Sequence, residues 1–221
     1  LYRHQNWRLE TAPNKLNLLG IRSDNTQAGA FDDEFFAFYR DGKGKWQVEV
    51  FPCTTDPGTY WLKNPLKPQG TAILKTGQYL NSYQIGLHQR RYPALVQRKS
   101  VEVLRDYDRD SWLDFSLSNA EKGLFGINIH RASAVGTTKE VASYSAGCQV
   151  LANAADFKRL MHLSKKHRSL YGNSFHYSLV DFRELRRETL RNVLRGSVAF
   201  SGLIVLVFYL LRSAKTLKKS Q

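Results

Sequence analysis

Cysteine is almost missing from this chain: Cys53 and Cys148 are the only two in 221 residues. Two thiols so far apart make no disulfide framework. No closely spaced pair of Cys or His offers a zinc site either, so no metal and no cofactor is expected. No internal repeat or low-complexity tract is present. The opening residues, LYRHQNWRLE, hold no apolar run that would serve as a signal peptide. The chain does not begin with Met, so further residues upstream, missing or processed away, are an expectation. Acidic residues are also scarce towards the C-terminus, and that shortage shapes the charge of the whole protein.

Charged residues make up 24% and hydrophobic residues 42%, the balance of an ordinary folded protein with a real core. The net charge of +14 would ordinarily point to a polyanionic partner. Its distribution argues otherwise. Residues 1–156 carry 19 Lys and Arg against 16 Asp and Glu, whereas residues 157–221 carry 14 against 3. The excess flanks GSVAFSGLIVLVFYLL, residues 196–211, which hold no charge and lie between Arg195 and Arg212. As a helix this run spans about 24 Å at ~1.5 Å per residue. A bilayer core is ~30 Å thick, and snorkelling arginines with local thinning close such a gap. A single transmembrane helix over residues 196–212 is therefore expected, with the lipid bilayer as a partner. Basic residues stand on both sides of it, so orientation is not legible.

The first 150 residues read as short strands, which favours a sandwich or barrel-like sheet. EFFAFYR and KWQVEVF are joined by DGKGK, a hairpin signal. CTTDPGTYWL reads as a Pro-Gly turn leading into a strand, and QYLNSYQIGLH, ALVQ, SVEVLRD, WLDFSL and GLFGINIH continue the pattern. In NAADFKRLMHLSKKH, Asn153 can cap a helix whose buried face is Phe157, Leu160, Met161 and Leu163. SFHYSLVDF looks like a closing strand. DFRELRRETLRNVLR, residues 181–195, has the stripe of a basic amphipathic helix suited to a membrane surface. It lacks the interleaved aromatics of a single-strand platform, so no nucleic acid is expected. The fold class is mainly β, a β-rich α+β domain over residues 1–180 with one packed helix. A basic stalk (181–195), the span (196–212) and a basic tail (213–221) follow it.

Chemistry concentrates around Cys148. Gly147 lets the backbone approach a substrate closely, and successive N–H groups of such a turn, at Gly147 and Cys148, can face a developing oxyanion. His130 ends the expected strand GLFGINIH, where its ring would emerge at a sheet edge. An imidazole near the thiol favours the thiolate, the nucleophilic form.

His130, fourteen intervening residues and Ser145-Ala146-Gly147-Cys148 resemble the signature of the L,D-transpeptidase (YkuD-type) catalytic domain, in which Ser/Thr-His-Gly-Cys follows a His by 14–17 residues. TTDPGTYWL resembles the Pro-Gly-x-aromatic strand start of that family. The similarity covers roughly residues 45–180, and GINIHRA with SAGCQV looks like a divergent branch seen in phage and Bacteroidetes sequences. Ala146, Val150 and Arg131 depart from the family pattern, standing where a second His, an Asn or Arg, and a small residue are usual.

The resemblance implies a β-sandwich-like fold and a cysteine acyltransferase acting on peptidoglycan stem peptides. Cys148 would be the nucleophile, His130 the base, and the Gly147 and Cys148 amides the oxyanion hole. Arg131, Ser145 and His88 are candidate substrate-binding side chains, Arg131 through a substrate carboxylate. The expected location is the cell envelope or a phage internal membrane, held by a C-terminal anchor. The competing function is a catalytically silent structural protein of a virion or envelope with the same fold. A third is a binding protein in which Cys148 is only packed.

Other features point to structure. Asp106, Asp108 and Asp110 alternate, but an EF-hand loop from Asp106 needs Gly at 111 and Glu at 117, where Ser111 and Leu117 stand. An acidic turn is expected. His176 and Cys53 are expected to pack.

Overall fold

The hairpin signal DGKGK folds as its glycines require. Asp41 N–H donates to Lys45 O, Gly44 adopts φ +78°, and the Asp41 carboxylate takes the Lys43 and Lys45 amides. The structure, a computed structural model, describes residues 1–3 and 5–187. The turn joins two strands of a mainly β unit that runs from Arg8 to Phe182. In chain order the strands are β1 (Asn17–Arg22), β2 (Asp33–Arg40), β3 (Trp46–Thr54), β4 (Thr71–Leu74), β5 (Gly77–His88), β6 (Tyr92–Gln97), β7 (Val101–Asp106), β8 (Glu121–Gly123), β9 (Ile129–Arg131), β10 (Gln149–Leu151) and β11 (Phe175–Asp181). A short helix α1 (Thr59–Lys63) precedes β4, and α2 (Ala154–Tyr171) lies between β10 and β11.

Eight strands close into a barrel in the order β1-β11-β5-β6-β9-β10-β3-β2, and β4, β7 and β8 form a separate three-stranded sheet. Of the sandwich and barrel that short strands allow, the barrel is the one found. Six of its junctions are antiparallel; β1–β11 and β9–β10 are parallel. Period-two alternation buries Phe35, Ala37, Phe51, Cys53, Ile129, Leu151, Tyr177 and Leu179 in one core. The face of α2 read from the sequence, Phe157, Leu160, Met161 and Leu163, joins that core. A smaller cluster of Leu62, Ile73, Leu104 and Leu113 ties α1 to the three-stranded sheet.

Three segments differ from their expectation. CTTDPGTYWL leads into α1 and not a strand, because Gly58 O accepts the Trp61 amide and the turn buries Leu62. WLDFSL is not a strand: the Asp106 and Asp110 carboxylates take the Asp114 and Trp112 amides, so these N–H groups are unavailable to a ladder. Leu117–Asn119 forms a 3-10 turn there. GLFGINIH is strand only at its ends, Gly123 closing β8 and Ile129 and His130 in β9, and Gly126 breaks it at φ +74°. His130 accordingly lies inside β9, between β6 and β10, and not at a sheet edge.

Residues 182–187 are helical and open the stretch expected as a stalk. The rest of that stretch, the apolar run and the basic tail lie outside the described residues. No helix among the described residues is long and apolar enough to cross a membrane.

The cap of α2 is present as read. Asn153 Oδ1 accepts from Ala155 N–H at 2.7 Å and Asp156 N–H at 3.2 Å, and its amide donates to Thr137 Oγ1. Asn153→Ala is expected to lower stability by about 1 kcal/mol. Chemical denaturation reads this as a lower midpoint with an unchanged slope, and an unmoved midpoint contradicts the capping role.

Candidate active site

The site is built on the parallel pairing of β9 with β10. Gln149 lies opposite Ile129 and Val150 opposite His130, and Gln149 N–H donates to Asn128 O. Cys148, one step before β10, therefore meets the start of β9. Its Sγ accepts from Asn128 N–H at 3.4 Å and donates to Gly126 O at 3.4 Å. His130 is two residues beyond Asn128, so the side chains of those two share one face. Two stacked rings reinforce this. His88 lies 4.0 Å from His130, centroid to centroid, at 20°, and its Nδ1 accepts from Asn128 Nδ2 at 3.1 Å.

The cysteine turn depends on glycine. Gly147 has φ +112°, and a Cβ there would fall 2.1 Å from Ala72 O on β4. Ser145 is fully buried; its hydroxyl donates to Cys148 O at 2.8 Å and accepts from Gly147 N–H at 3.2 Å. It braces the turn and has no surface to offer a substrate. With Gly147 N–H engaged by Ser145, the Cys148 amide is the oxyanion donor left, and no partner for it is found among the described residues.

Behind the turn, Gln149 is fully buried. It takes the Tyr177 hydroxyl at 2.7 Å and donates to Thr55 O at 3.3 Å. Thr55 in turn is pinned by the Asp33 carboxylate and by Arg22, whose guanidinium is paired with Asp56 at 2.7 Å. Burial first, then the neighbouring Asp56, raises Asp33 to about 8. TTDPG thus supports the site through the Thr55 carbonyl.

Electrostatics fix the resting protonation states. Burial pushes the Cys148 thiol up to about 11 against the opposing pull of the Asn128 amide, although the residue is partly exposed. Burial, with His88 adding to it, lowers His130 to about 3, while its bond to the Arg131 carbonyl acts the other way. That bond, from Nδ1–H to Arg131 O at 2.9 Å, selects the tautomer: Nδ1 carries the proton and Nε2 keeps a free lone pair. Tyr92 OH donates to the same carbonyl at 3.3 Å and sits 3.4 Å from His130 Nδ1. The resting pair is therefore thiol and neutral imidazole, and the thiol's hydrogen-bond partner is Gly126 O and not the ring.

The remaining sequence candidates have other surroundings. His88 is buried against His130 and Asn128, which makes it a neighbour of the base more than a substrate contact. Arg131 stacks its guanidinium 4.3 Å from the Tyr92 ring centroid. His176 bonds Glu10 and the Asn81 amide. Cys53 is fully buried, where burial lifts its thiol far above the usual range. No group of three His, Cys, Asp or Glu side chains gathers to hold a metal among the described residues. Sequence reasoning missed Tyr92, Asn128 and Gln149. Only Gln149, directly after the cysteine, carried a positional signal.

Comparisons with known proteins leave the site to its own geometry: no protein-family model and no curated protein matches the chain.

With the thiol near 11, roughly one molecule in ten thousand is thiolate at pH 7. Alkylation of Cys148 by iodoacetamide is therefore expected to rise about tenfold per pH unit from 7 towards 10. A plateau already reached near pH 7 contradicts the neutral pair and indicates a preformed thiolate–imidazolium.

Proposed function

We propose that this protein is an L,D-transpeptidase-like cysteine acyltransferase acting on peptidoglycan stem peptides, attached to a membrane by residues 196–212. The observation that carries the reading is the β9–β10 pairing, which sets a partly exposed thiol after a glycine turn on the strand next to an imidazole held in one tautomer. In this reading the barrel and α2 correspond to the family's β-sandwich-like domain. Arg131 O acts as the third member of the catalytic set.

The chemistry follows from the resting protonation. As Cys148 Sγ attacks a stem-peptide carbonyl, its proton passes to His130 Nε2 and an S–C bond forms. The Cys148 amide stabilises the oxyanion. Collapse breaks the C–N bond, and the departing amine takes the proton from His130, leaving a thioester. An amine or water then gives its proton to His130, attacks the thioester and breaks the C–S bond, which returns the proton to sulfur. An amine gives a cross-link and water a shortened stem. Proton transfer during attack, and not a standing thiolate, matches a thiol near 11 beside an imidazole near 3.

A second reading has its own support. The thiol rests on Gly126 O with no bond to the ring, as a silent domain of the same fold in a virion or envelope would tolerate. Incubation with purified muropeptides and mass spectrometry of the intact chain separates the two. The acyltransferase reading predicts a thioester on Cys148 that vanishes in Cys148→Ala and forms 10²–10⁴-fold more slowly in His130→Gln, the range of general-base contributions. No adduct and unchanged muropeptides leave the silent domain.

A further inference from the structure

Beside the cysteine turn lies a cleft of about 130 Å³ whose lining includes Trp61, Leu66, Lys67, Arg105, Phe125 and Ala146. Two of these residues fix its relation to the thiol. Ala146 is two residues before Cys148, and Phe125 adjoins Gly126, whose carbonyl takes the thiol proton. Ala72, which also lines the cleft, is the residue whose carbonyl closes on Gly147. The cleft is thus lined by sequence neighbours of both the thiol and its hydrogen-bond acceptor.

Its polar groups have one sign in excess. Arg105 is only 6% exposed, and it donates through Nη1 to Gly70 O at 3.1 Å and through Nη2 to Glu121 Oε2 at 2.9 Å. Its Nε is buried with no hydrogen-bond partner among the described residues, an unmet donor on a charged group. Glu121 offsets one positive charge. Lys67 is exposed at the rim, with no ion pair found for it among the described residues, and supplies the surplus. Arg131, the cation that sequence reading offered to a substrate carboxylate, lies over Tyr92 and is absent from the lining of this cleft.

We propose that this cleft seats a free carboxylate carried by the acyl donor, held by Arg105 and Lys67 against the Trp61 and Phe125 rings. The inference rests on the acyl-transfer reading and names the feature of the substrate it requires. A guanidinium lying 5.2 Å from the Phe125 ring centroid with one N–H unmet, an exposed ammonium and the Trp61 ring suit an anion on a small apolar residue.

Alkylation of Cys148 tests this without turnover. The full chain is labelled with iodoacetate, which carries the carboxylate, and with iodoacetamide, its neutral isostere, and the two rates are read from the Cys148 peptide. A change in thiol acidity moves both rates together, so their ratio isolates the anion's environment. Lys67→Ala is expected to lower the iodoacetate-to-iodoacetamide ratio roughly three- to tenfold, as expected for one nearby charge in partly screened surroundings. Arg105→Gln is expected to lower it further. Should Arg105→Gln fail to fold, the exposed Lys67→Ala still decides. An unchanged ratio in Lys67→Ala overturns the carboxylate seat. A thioester with muropeptides alongside an unchanged ratio removes the seat and keeps the acyltransferase; a lowered ratio with no thioester keeps the seat and removes the acyltransferase.

Discussion

Everything at the candidate site depends on one pairing, three residues of β9 running parallel to three residues of β10. Parallel strands need a crossover, and here the connection from Ala132 to Cys148 returns the chain to β9 from the same direction. A one-residue slip would turn His130 to the far face. The pairing is short, so its surroundings hold it. β3 closes one side, Leu95 of β6 pairs with Ile129 on the other, and α2 starts immediately after β10 under the Asn153 cap.

Burial sets the chemistry as much as proximity does. Burial raises the Cys148 thiol and lowers the His130 imidazole. Both effects favour the neutral forms, so the site rests without charge separation. The Arg131 carbonyl compensates by holding His130 in the tautomer that leaves Nε2 free. Because that holder is a backbone atom, a side-chain substitution at Arg131 leaves the acceptor in place. The role is consistent with Arg131 packing on Tyr92, which in turn donates to the same carbonyl.

Much of this was legible in the sequence, for physical reasons that differ by segment. The hairpin, the capped helix and β11 each carry local signals: a glycine at positive φ, an Asn before an apolar face, and alternation. The pair Cys148 and His130 was visible as a spacing. β1 was not seen, because NLLGIR is buried at every position and shows no alternation to mark a strand. WLDFSL misled because its aspartates bind backbone amides that a strand would use. Ser145 looked like a substrate contact, and only the fold shows its hydroxyl turned into the loop. The His88–His130 stack joins residues forty-two positions apart in sequence, and no local pattern could place them together.

The central claim is that His130 stands ready as a neutral base with Nε2 unprotonated. Nitrogen-15 NMR of the imidazole in the intact protein measures this directly. The account predicts a protonated Nδ1, a bare Nε2 and no titration of His130 between pH 5 and 9, since its value lies near 3. A proton on Nε2 at neutral pH, or a titration near the ordinary histidine value of about 6.5, contradicts it.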